Sequence, residues 1–181
     1  MKNSGKIFED DFRKSIDSKD PDIYLLRLKD EAQAFQKQAK FSHKNPFDFL
    51  VFDGKNGKLY GFELKTTKFK YITFDDLYDN KEQGKMIHLH QIKSLINMIP
   101  KNNVDGGFLL NFRDEEENIE KTYYMPIKKF CKMAANLNKK SFNEKDLIEY
   151  SAIHVEGIKK RTHYRWDIKN LLSELNEKSE D

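Results

Sequence analysis

Two acidic residues and a lysine lie in two neighbouring strand-like segments, with a spacing that suits the hydrolysis of a phosphodiester bond. Asp48 stands in the apolar run 47–52, and Glu63 and Lys65 stand in the β-rich run 59–67. The sequence between the runs, Asp-Gly-Lys-Asn-Gly, contains residues that are typical of a turn. The two runs are therefore predicted to form a β-hairpin that brings the three side chains together.

The turn sets the register of this hairpin. If the four residues after Asp53 form the loop, Asp53 faces Lys58 as a closing pair of opposite charge. The same register puts Asp48 directly opposite Glu63, with Cβ atoms about 5 Å apart. Because strand side chains alternate, Glu63 and Lys65 are expected on one face of the sheet. The apolar residues of the opposite face, which are expected in the core, are Tyr60, Phe62 and Leu64.

Two opposed carboxylates on a largely buried sheet are unfavourable, because like charges repel and burial penalises ionised groups. A divalent cation removes this cost, and Mg²⁺ takes hard oxygen ligands with few protein carboxylates among them. Asp48 and Glu63 are therefore candidate ligands for Mg²⁺, with Mn²⁺ as a substitute. Lys65 beside the ion could position an attacking water and neutralise charge on a phosphoryl oxygen. The alternative is an ordinary surface ion pair between Glu63 and Lys65.

Four motifs are spaced along the chain. They are Gly-Lys-Ile-Phe-Glu at 5–9, Asn-Pro-Phe-Asp-Phe at 45–49, Gly-Phe-Glu-Leu-Lys-Thr-Thr-Lys at 61–68 and His-Leu-His-Gln-Ile at 88–92. Together they resemble the PD-(D/E)XK nuclease superfamily, and more closely the RecU-type Holliday junction resolvases. The resemblance covers residues 4–172, with departures from the family pattern. One of them is Phe47, which is inserted between the signature proline and Asp48.

The resemblance implies a role for each residue of the predicted site. Asp48 and Glu63 would bind the metal, and Lys65 would be the catalytic lysine. Glu9 and Gln91 would support the site. Without the resemblance, Glu9 would be interpreted as half of an exposed helical ion pair with Arg13, one turn away, and Gln91 as a solvated polar residue.

The segment 68–86 is basic and aromatic, and the resemblance places a projecting, DNA-contacting segment there. Lysines can contact phosphates, and exposed aromatic rings can stack on splayed bases. The alternative for 68–86 is that its aromatic side chains pack in the core and its lysines are solvated. A second basic cluster, at 159–165, could also contact phosphates, or it could be a plain solvated loop. The candidate DNA-binding residues are Thr67, Lys68, Lys70, Tyr71, Lys81, Lys85, Arg161 and Arg165, and the interleaved aromatic residues are Phe69, Tyr71, Phe74 and Tyr78.

The remaining elements predict a mixed α/β (α+β) fold, with a restriction-endonuclease-like central mixed β-sheet flanked by helices. One nuclease domain is expected to span 1–181, with a disordered tail at 174–181. Apolar periodicity predicts the helices, whereas alternation and turn residues predict the strands. The predicted helices are 4–18 with Ser4 as its cap, 89–99 ending at Pro100, 127–138 and 167–175. Residues 107–112 and 121–125 are predicted to form a second hairpin. The segments 22–28 and 147–155 could each be a strand or a helix, and 29–45 is predicted to be a polar connection.

Composition narrows the compartment and the partner. The single cysteine, Cys131, excludes an internal disulfide, and no apolar run is long enough to span a bilayer, so a cytoplasmic protein without membrane contact is expected. The net charge is +3, but acidic residues are concentrated in 114–120 and 174–181. The rest of the chain is therefore strongly basic, which favours a polyanionic partner. His88 and His90 do not face each other on a helix, which argues against a zinc site.

The predicted function is a structure-selective endonuclease that resolves four-way DNA junctions. Two symmetric cuts require two sites, and a homodimer of this chain would supply them. Recombination proteins are additional candidate partners. The alternatives are another nuclease of the superfamily, restriction-like or involved in repair, and a non-catalytic DNA-binding protein. Nicking of DNA that depends on Mg²⁺ would separate an enzyme from a binding protein.

Overall fold

The computed structural model describes residues 3–28, 45–79, 81–114, 116 and 119–177. Within these ranges the chain forms five helices and ten strands. The helices are α1 Ser4–Ser15, α2 Leu89–Ile96, α3 Ile127–Asn136, α4 Glu144–Glu149 and α5 Ile168–Glu177. The strands are β1 Ile23–Arg27, β2 Phe49–Asp53, β3 Lys58–Thr67, β4 Ile72–Thr73, β5 Val104–Asp114, β6 Ile119–Pro126, β7 Ser141–Phe142, β8 Ile153–Val155, β9 Gly157–Lys159 and β10 Tyr164–Trp166.

Six strands form one sheet in the order β1-β2-β3-β5-β6-β8. Strands β3 and β5 run parallel, and the other neighbouring pairs run antiparallel. Two short sheets, β4 with β7 and β9 with β10, are separate from it. Helices pack on both faces of the large sheet. The predicted mixed α/β architecture, with a central mixed sheet flanked by helices, is therefore confirmed.

Each face of the sheet carries its own hydrophobic core. On one face Phe12 of α1 packs against Phe62 of β3, with ring centroids 5.6 Å apart. On the other face Ile92 of α2 is buried in the same cluster as Phe108 of β5. Glu63 follows Phe62 in β3 and is the ladder partner of Phe108. Alternation along β3 therefore directs Glu63 toward the face that α2 covers.

The predicted hairpin between β2 and β3 is confirmed, with a four-residue turn and Asp53 paired with Lys58. Asp53 is buried, and its carboxylate accepts a hydrogen bond from the Asn56 side chain at 2.8 Å. A second side-chain amide, from Asn176 of α5, donates to the same carboxylate at 2.9 Å. The turn is thus tied to the C-terminal helix, and this anchoring fixes the register of β3.

Several element boundaries differ from the prediction at the N-terminal side. Helix α1 is capped by Asn3, whose side chain accepts from the Gly5 N–H at 3.0 Å, rather than by Ser4. An asparagine one position earlier satisfies a backbone donor at the first turn equally well. The helix ends at Ser15, and the ambiguous segment 22–28 forms strand β1. Most of the predicted connection 29–45 lies outside the described residues.

The C-terminal side differs in two respects. Helix α5 extends to Glu177 and buries Leu175, so residues 174–177 of the predicted disordered tail are helical. Residues 178–181 lie outside the described residues. The basic cluster at 159–165, for which a solvated loop was the alternative to a DNA contact, contributes to the β9–β10 hairpin. Across the described ranges, every helix falls short of the length and apolarity that crossing a bilayer requires.

Candidate active site

Glu63 lies in the interior, and two side chains contact one of its carboxylate oxygens. Its side chain is 2% exposed, and the Lys65 Nζ lies 2.8 Å from Oε1. The side-chain amide of Gln91 donates a hydrogen bond to the same oxygen. Gln91 is the third residue of α2, and its Oε1 accepts from the His88 backbone N–H at 3.0 Å. Helix α2 therefore presents Gln91 in a fixed orientation toward the centre of β3.

Asp48 immediately precedes β2, and its side chain contacts the same part of β3. Its Oδ2 accepts a hydrogen bond from the Leu64 backbone N–H at 2.7 Å. Its own N–H donates to the Phe62 carbonyl at 3.1 Å, and the regular ladder begins with Phe49 opposite Phe62. The ladder keeps the predicted register from Asp53 opposite Lys58 to Phe49 opposite Phe62 and ends one residue before Asp48. The Asp48 carboxylate instead binds the backbone beside Glu63.

The electrostatics of Glu63 are those of a poorly compensated buried acid. Burial raises the pKa of Glu63 to about 8, and the charges of Asp48 and Glu9 act in the same direction. Lys65 acts against them but does not restore the ordinary value. An ionised Glu63 therefore needs more positive charge than this lysine supplies.

Glu9 approaches the site from α1 and is paired with a residue that the sequence did not single out. The guanidinium of Arg27, at the end of β1, donates to the Glu9 carboxylate. Arg13, the helical partner considered from the sequence, instead lies 3.4 Å from Asp10. The pairing depends on β1 lying beside α1, so no local pattern around Arg27 could have predicted it.

The donor set of the site matches a divalent cation that takes hard ligands. Among the described residues, no group of three or more His, Cys, Asp and Glu side chains is arranged to hold a metal ion. Mg²⁺, however, is commonly held by one or two carboxylates, with water and phosphate oxygens completing its shell. Asp48 and Glu63 supply that number, and because burial raises the pKa of Glu63, a cation beside it would favour its ionised form. These two residues therefore fit Mg²⁺.

A buried acid, Asp75, organises the segment that leads into α2. It is 0% exposed, and its carboxylate accepts from the Leu89 N–H at 2.9 Å and from the Gln83 N–H at 2.9 Å. The His88 Nδ1 lies 3.8 Å from Asp75, and burial lowers the pKa of His88. The ring of His88 stacks on that of His90, with centroids 5.6 Å apart. Asp75 therefore links the segment 75–89 to the helix that carries Gln91.

The predicted DNA-contacting segment 68–86 is partly exposed and partly anchored. Strand β4 pairs with β7, and Phe74 is 0% exposed, so Phe74 is a core residue and not a candidate for stacking on DNA. Phe69 and Tyr71 are 59% and 51% exposed. Their rings stack on each other, with centroids 6.1 Å apart and planes 22° apart. Tyr78 is exposed as well. The segment therefore does not project as a whole, but its first turn presents an aromatic pair.

The basic candidates differ in their accessibility. Lys68, Lys70, Lys81 and Arg161 are exposed, whereas Lys85 and Arg165 are half-buried. Thr67 is 4% exposed, and its hydroxyl accepts from the Phe69 N–H at 3.0 Å, which shapes the turn after β3. Arg165 belongs to β10 and donates to the Tyr164 carbonyl at 2.9 Å.

The comparisons with known proteins give one clear relative. No protein-family model matches the chain. The chain is 30% identical over 189 residues to the SPbeta prophage-derived uncharacterized protein YotM of Bacillus subtilis (strain 168), an alignment that covers 98% of this chain and 89% of that protein.

The structure is also similar to that of Archaeoglobus fulgidus Hjc, a Holliday junction resolvase from an archaeal hyperthermophile. The TM-score is 0.45 at 10% identity, with 82% of this chain and 93% of that chain covered. A similarity of this size does not establish a shared activity.

Proposed function

We propose that this chain, which belongs to the family of the SPbeta prophage-derived protein YotM, is a metal-dependent endonuclease that cuts DNA by phosphodiester hydrolysis. The observation that carries the proposal is Glu63, a 2% exposed acid in contact with Lys65, with the Asp48 carboxylate bound to the backbone of the next residue. A buried Glu63 with the half-buried Asp48 beside it has no evident role in stability, because the two acids repel each other and burial penalises the ionised form of Glu63.

We propose that the carboxylates of Asp48 and Glu63 hold Mg²⁺, with Mn²⁺ as a substitute. When bound, such an ion polarises a phosphate oxygen and lowers the pKa of a coordinated water. The residues around it have separate tasks. Lys65 orients the attacking water and neutralises charge that develops on the phosphoryl oxygens. Gln91 holds the Glu63 carboxylate in place, and its own amide oxygen is held by the His88 N–H.

The exposed aromatic pair favours branched DNA as the substrate. Phe69 and Tyr71 follow β3 directly and alternate with the exposed lysines Lys68 and Lys70. Aromatic faces stack on unpaired bases, and lysines displace counterions from phosphates. Bases at the crossover of a four-way junction open more readily than bases inside a linear duplex. We therefore propose that the enzyme resolves four-way junctions, with this segment next to the scissile phosphate.

The proposed reaction also implies an assembly. A four-way junction is resolved by two symmetric cuts, and one chain offers one site, so we propose a homodimer with twofold symmetry. Because the relative is prophage-derived, we propose phage DNA as the source of the junctions. The cytoplasm is the compartment in which such a substrate and the proposed recombination partners occur.

Cleavage of a synthetic four-way junction, compared with a linear duplex of equal sequence, tests the proposal directly. We expect symmetric nicks in the junction with Mg²⁺ or Mn²⁺, little cutting of the duplex, and no cutting in chelator. The matched control is Asp48→Asn, which should bind the junction without cutting it. Full activity in chelator would refute the metal assignment, and equal cutting of both substrates would favour a nuclease without junction selectivity.

A further inference from the structure

Arg27 is held next to the proposed catalytic acid by the backbone of the sheet. It is the last residue of β1, where its ladder partner is Phe49. The following residue, Leu28, donates its N–H to the Asp48 carbonyl at 2.9 Å. The C-terminal end of β1 is therefore bound to the backbone of Asp48.

The side chain of Arg27 is accessible as well as ion-paired. Its guanidinium donates to Glu9 of α1, and 42% of the Arg27 side chain is exposed, compared with 17% for Lys65. Glu9 is close enough to the centre of the site for its charge to raise the pKa of Glu63. The Arg27–Glu9 pair therefore borders the site on the α1 side, and it is the more open of the two cationic positions.

The charged residues around the site indicate that Arg27 is available to contact a phosphate. Among the described residues around the site, the carboxylates of Glu9, Asp48 and Glu63 lie near the two cations Lys65 and Arg27. Lys65 is engaged by Glu63, one of the two proposed metal ligands. Arg27 is engaged by Glu9, which is not a proposed metal ligand. A guanidinium presents its N–H donors in a rigid fork, so it can keep one bond to a carboxylate and donate others to a phosphate.

We propose that Arg27 binds the backbone phosphate at or next to the cleaved bond, with Glu9 orienting its guanidinium. This inference rests on the proposed nuclease function and adds a substrate-binding residue to it. In this arrangement the role of Glu9 is to orient the Arg27 guanidinium toward the site before DNA is bound. Arg27 is thus a contact to the substrate, and Glu9 is a positioning residue that acts through it.

The test compares Arg27→Ala, Arg27→Lys, Glu9→Gln and the double variant Glu9→Gln/Arg27→Ala. Junction affinity is measured in Ca²⁺ over a series of salt concentrations, and single-turnover cleavage is measured in Mg²⁺. We expect Arg27→Ala to reduce the slope of log affinity against log salt by about one, the value for one lost phosphate contact. The cleavage rate should fall by about 100-fold, as when one donor to the reacting phosphate is lost. Arg27→Lys should retain affinity better than rate, because it keeps the charge and loses the fork.

The double variant separates substrate binding from simple neutralisation of Glu9. If Arg27 binds phosphate, Glu9→Gln/Arg27→Ala remains as impaired as Arg27→Ala. If Arg27 only neutralises Glu9, removing the Glu9 charge restores the double variant to the level of Glu9→Gln, and the inference is wrong. Arg13→Ala, which removes another arginine paired with an acid of α1, is the matched control and should behave as wild type.

Two further outcomes complete the design. Wild-type affinity, salt slope and cleavage rate in a folded Arg27→Ala variant would overturn the inference. If Arg27→Ala fails to fold by circular dichroism, Arg27→Lys and Arg27→Gln carry the same comparison. If the wild-type chain binds DNA but never cuts it, the proposed nuclease function fails, whereas the salt slopes in Ca²⁺ still decide whether Arg27 contacts phosphate.

Discussion

The side-chain amide of Gln91 and the ammonium of Lys65 contact the same carboxylate oxygen, Oε1 of Glu63. Two donors on one oxygen hold the carboxylate in a single orientation. The two contacts come from different directions, since Lys65 lies two residues along the same strand and Gln91 lies on α2. The other oxygen, Oε2, remains for a further partner such as the proposed cation. The geometry of Glu63 therefore depends on the helix as much as on the strand.

A first prediction concerns Gln91. Gln91→Ala should lower cleavage by about 10- to 100-fold, the usual cost of removing a residue that orients a metal ligand. The Mg²⁺ concentration for half-maximal activity should rise, while junction affinity in Ca²⁺ stays unchanged. Lys93→Ala, an exposed position on the same helix, is the control. An unchanged metal requirement in Gln91→Ala would show that the amide has no part in holding Glu63.

A second prediction concerns the acids themselves. Asp48→Asn and Glu63→Gln should abolish cutting and retain folding and junction binding, because each removes charge without removing bulk. Ca²⁺ should support binding by the wild-type chain with little cutting, since its looser coordination holds a reactive water less well. A sharp fall in the melting temperature of both variants would favour a structural role for the pair.

A third prediction concerns the pH dependence of stability in chelator. The pKa of Glu63 is about 8 in the folded chain, against an ordinary value of 4.5. Between these values the folded state binds more protons than the unfolded state, so this residue makes stability fall as pH rises from about 4.5 to about 8. Glu63→Gln should therefore melt higher than wild type at pH 8, and the difference should shrink toward pH 5. Parallel melting curves for the two proteins across that range would contradict this account.

A fourth prediction contrasts two aromatic residues that are three positions apart. Tyr71→Ala should reduce the preference for a junction over a duplex and leave stability unchanged, because Tyr71 is 51% exposed. Phe74→Ala should instead lower stability by about 3–5 kcal/mol, because it removes a fully buried ring. Thermal melting and affinities for both substrates provide the comparison. An equal loss of affinity on both substrates in Tyr71→Ala, with a lower melting temperature, would mean that Tyr71 serves packing.

Replacing Lys68 and Lys70 should weaken binding to the junction and to the duplex alike. It should also flatten the salt dependence, because fewer phosphate contacts release fewer counterions. Lys128 and Lys132, exposed on α3, provide a matched pair of control substitutions. A salt slope that is unchanged in the Lys68 and Lys70 variant, but reduced in the control, would place the DNA on another surface.

The sequence predicted the β2–β3 hairpin well because its information is local. Turn residues set the loop, a charged pair closes it, and alternation directs Glu63 and Lys65 to one face. The bond from the Leu64 N–H to the Asp48 side chain was not predictable in this way, since the ladder of β2 begins one residue after Asp48.

The features that were not predicted depend on residues far apart in the chain. Arg27 meets Glu9 across 18 positions. Phe74 is buried because Phe130 of α3 and Phe142 of β7 pack against it, at centroid distances of 5.6 and 6.0 Å. Periodicity cannot indicate such burial in a two-residue strand. Asp75 likewise looks like a solvated loop acid until Leu89 and its helix are in place.

Helix α1, which carries Glu9, is hydrogen-bonded to β10, a strand that is distant in sequence. The buried Asp11 of α1 accepts from the Tyr164 N–H at 2.9 Å, and Ser15 of α1 accepts from the Trp166 N–H at 2.9 Å. These partners are 153 and 151 positions away. During synthesis, α1 leaves the ribosome before β10 and finds these hydrogen-bond donors only after β10 has emerged. We therefore expect the growing chain to carry Asp48, Glu63 and Lys65 without a positioned Glu9 until Tyr164 and Trp166 have been synthesised, so that full cutting activity appears only after that point.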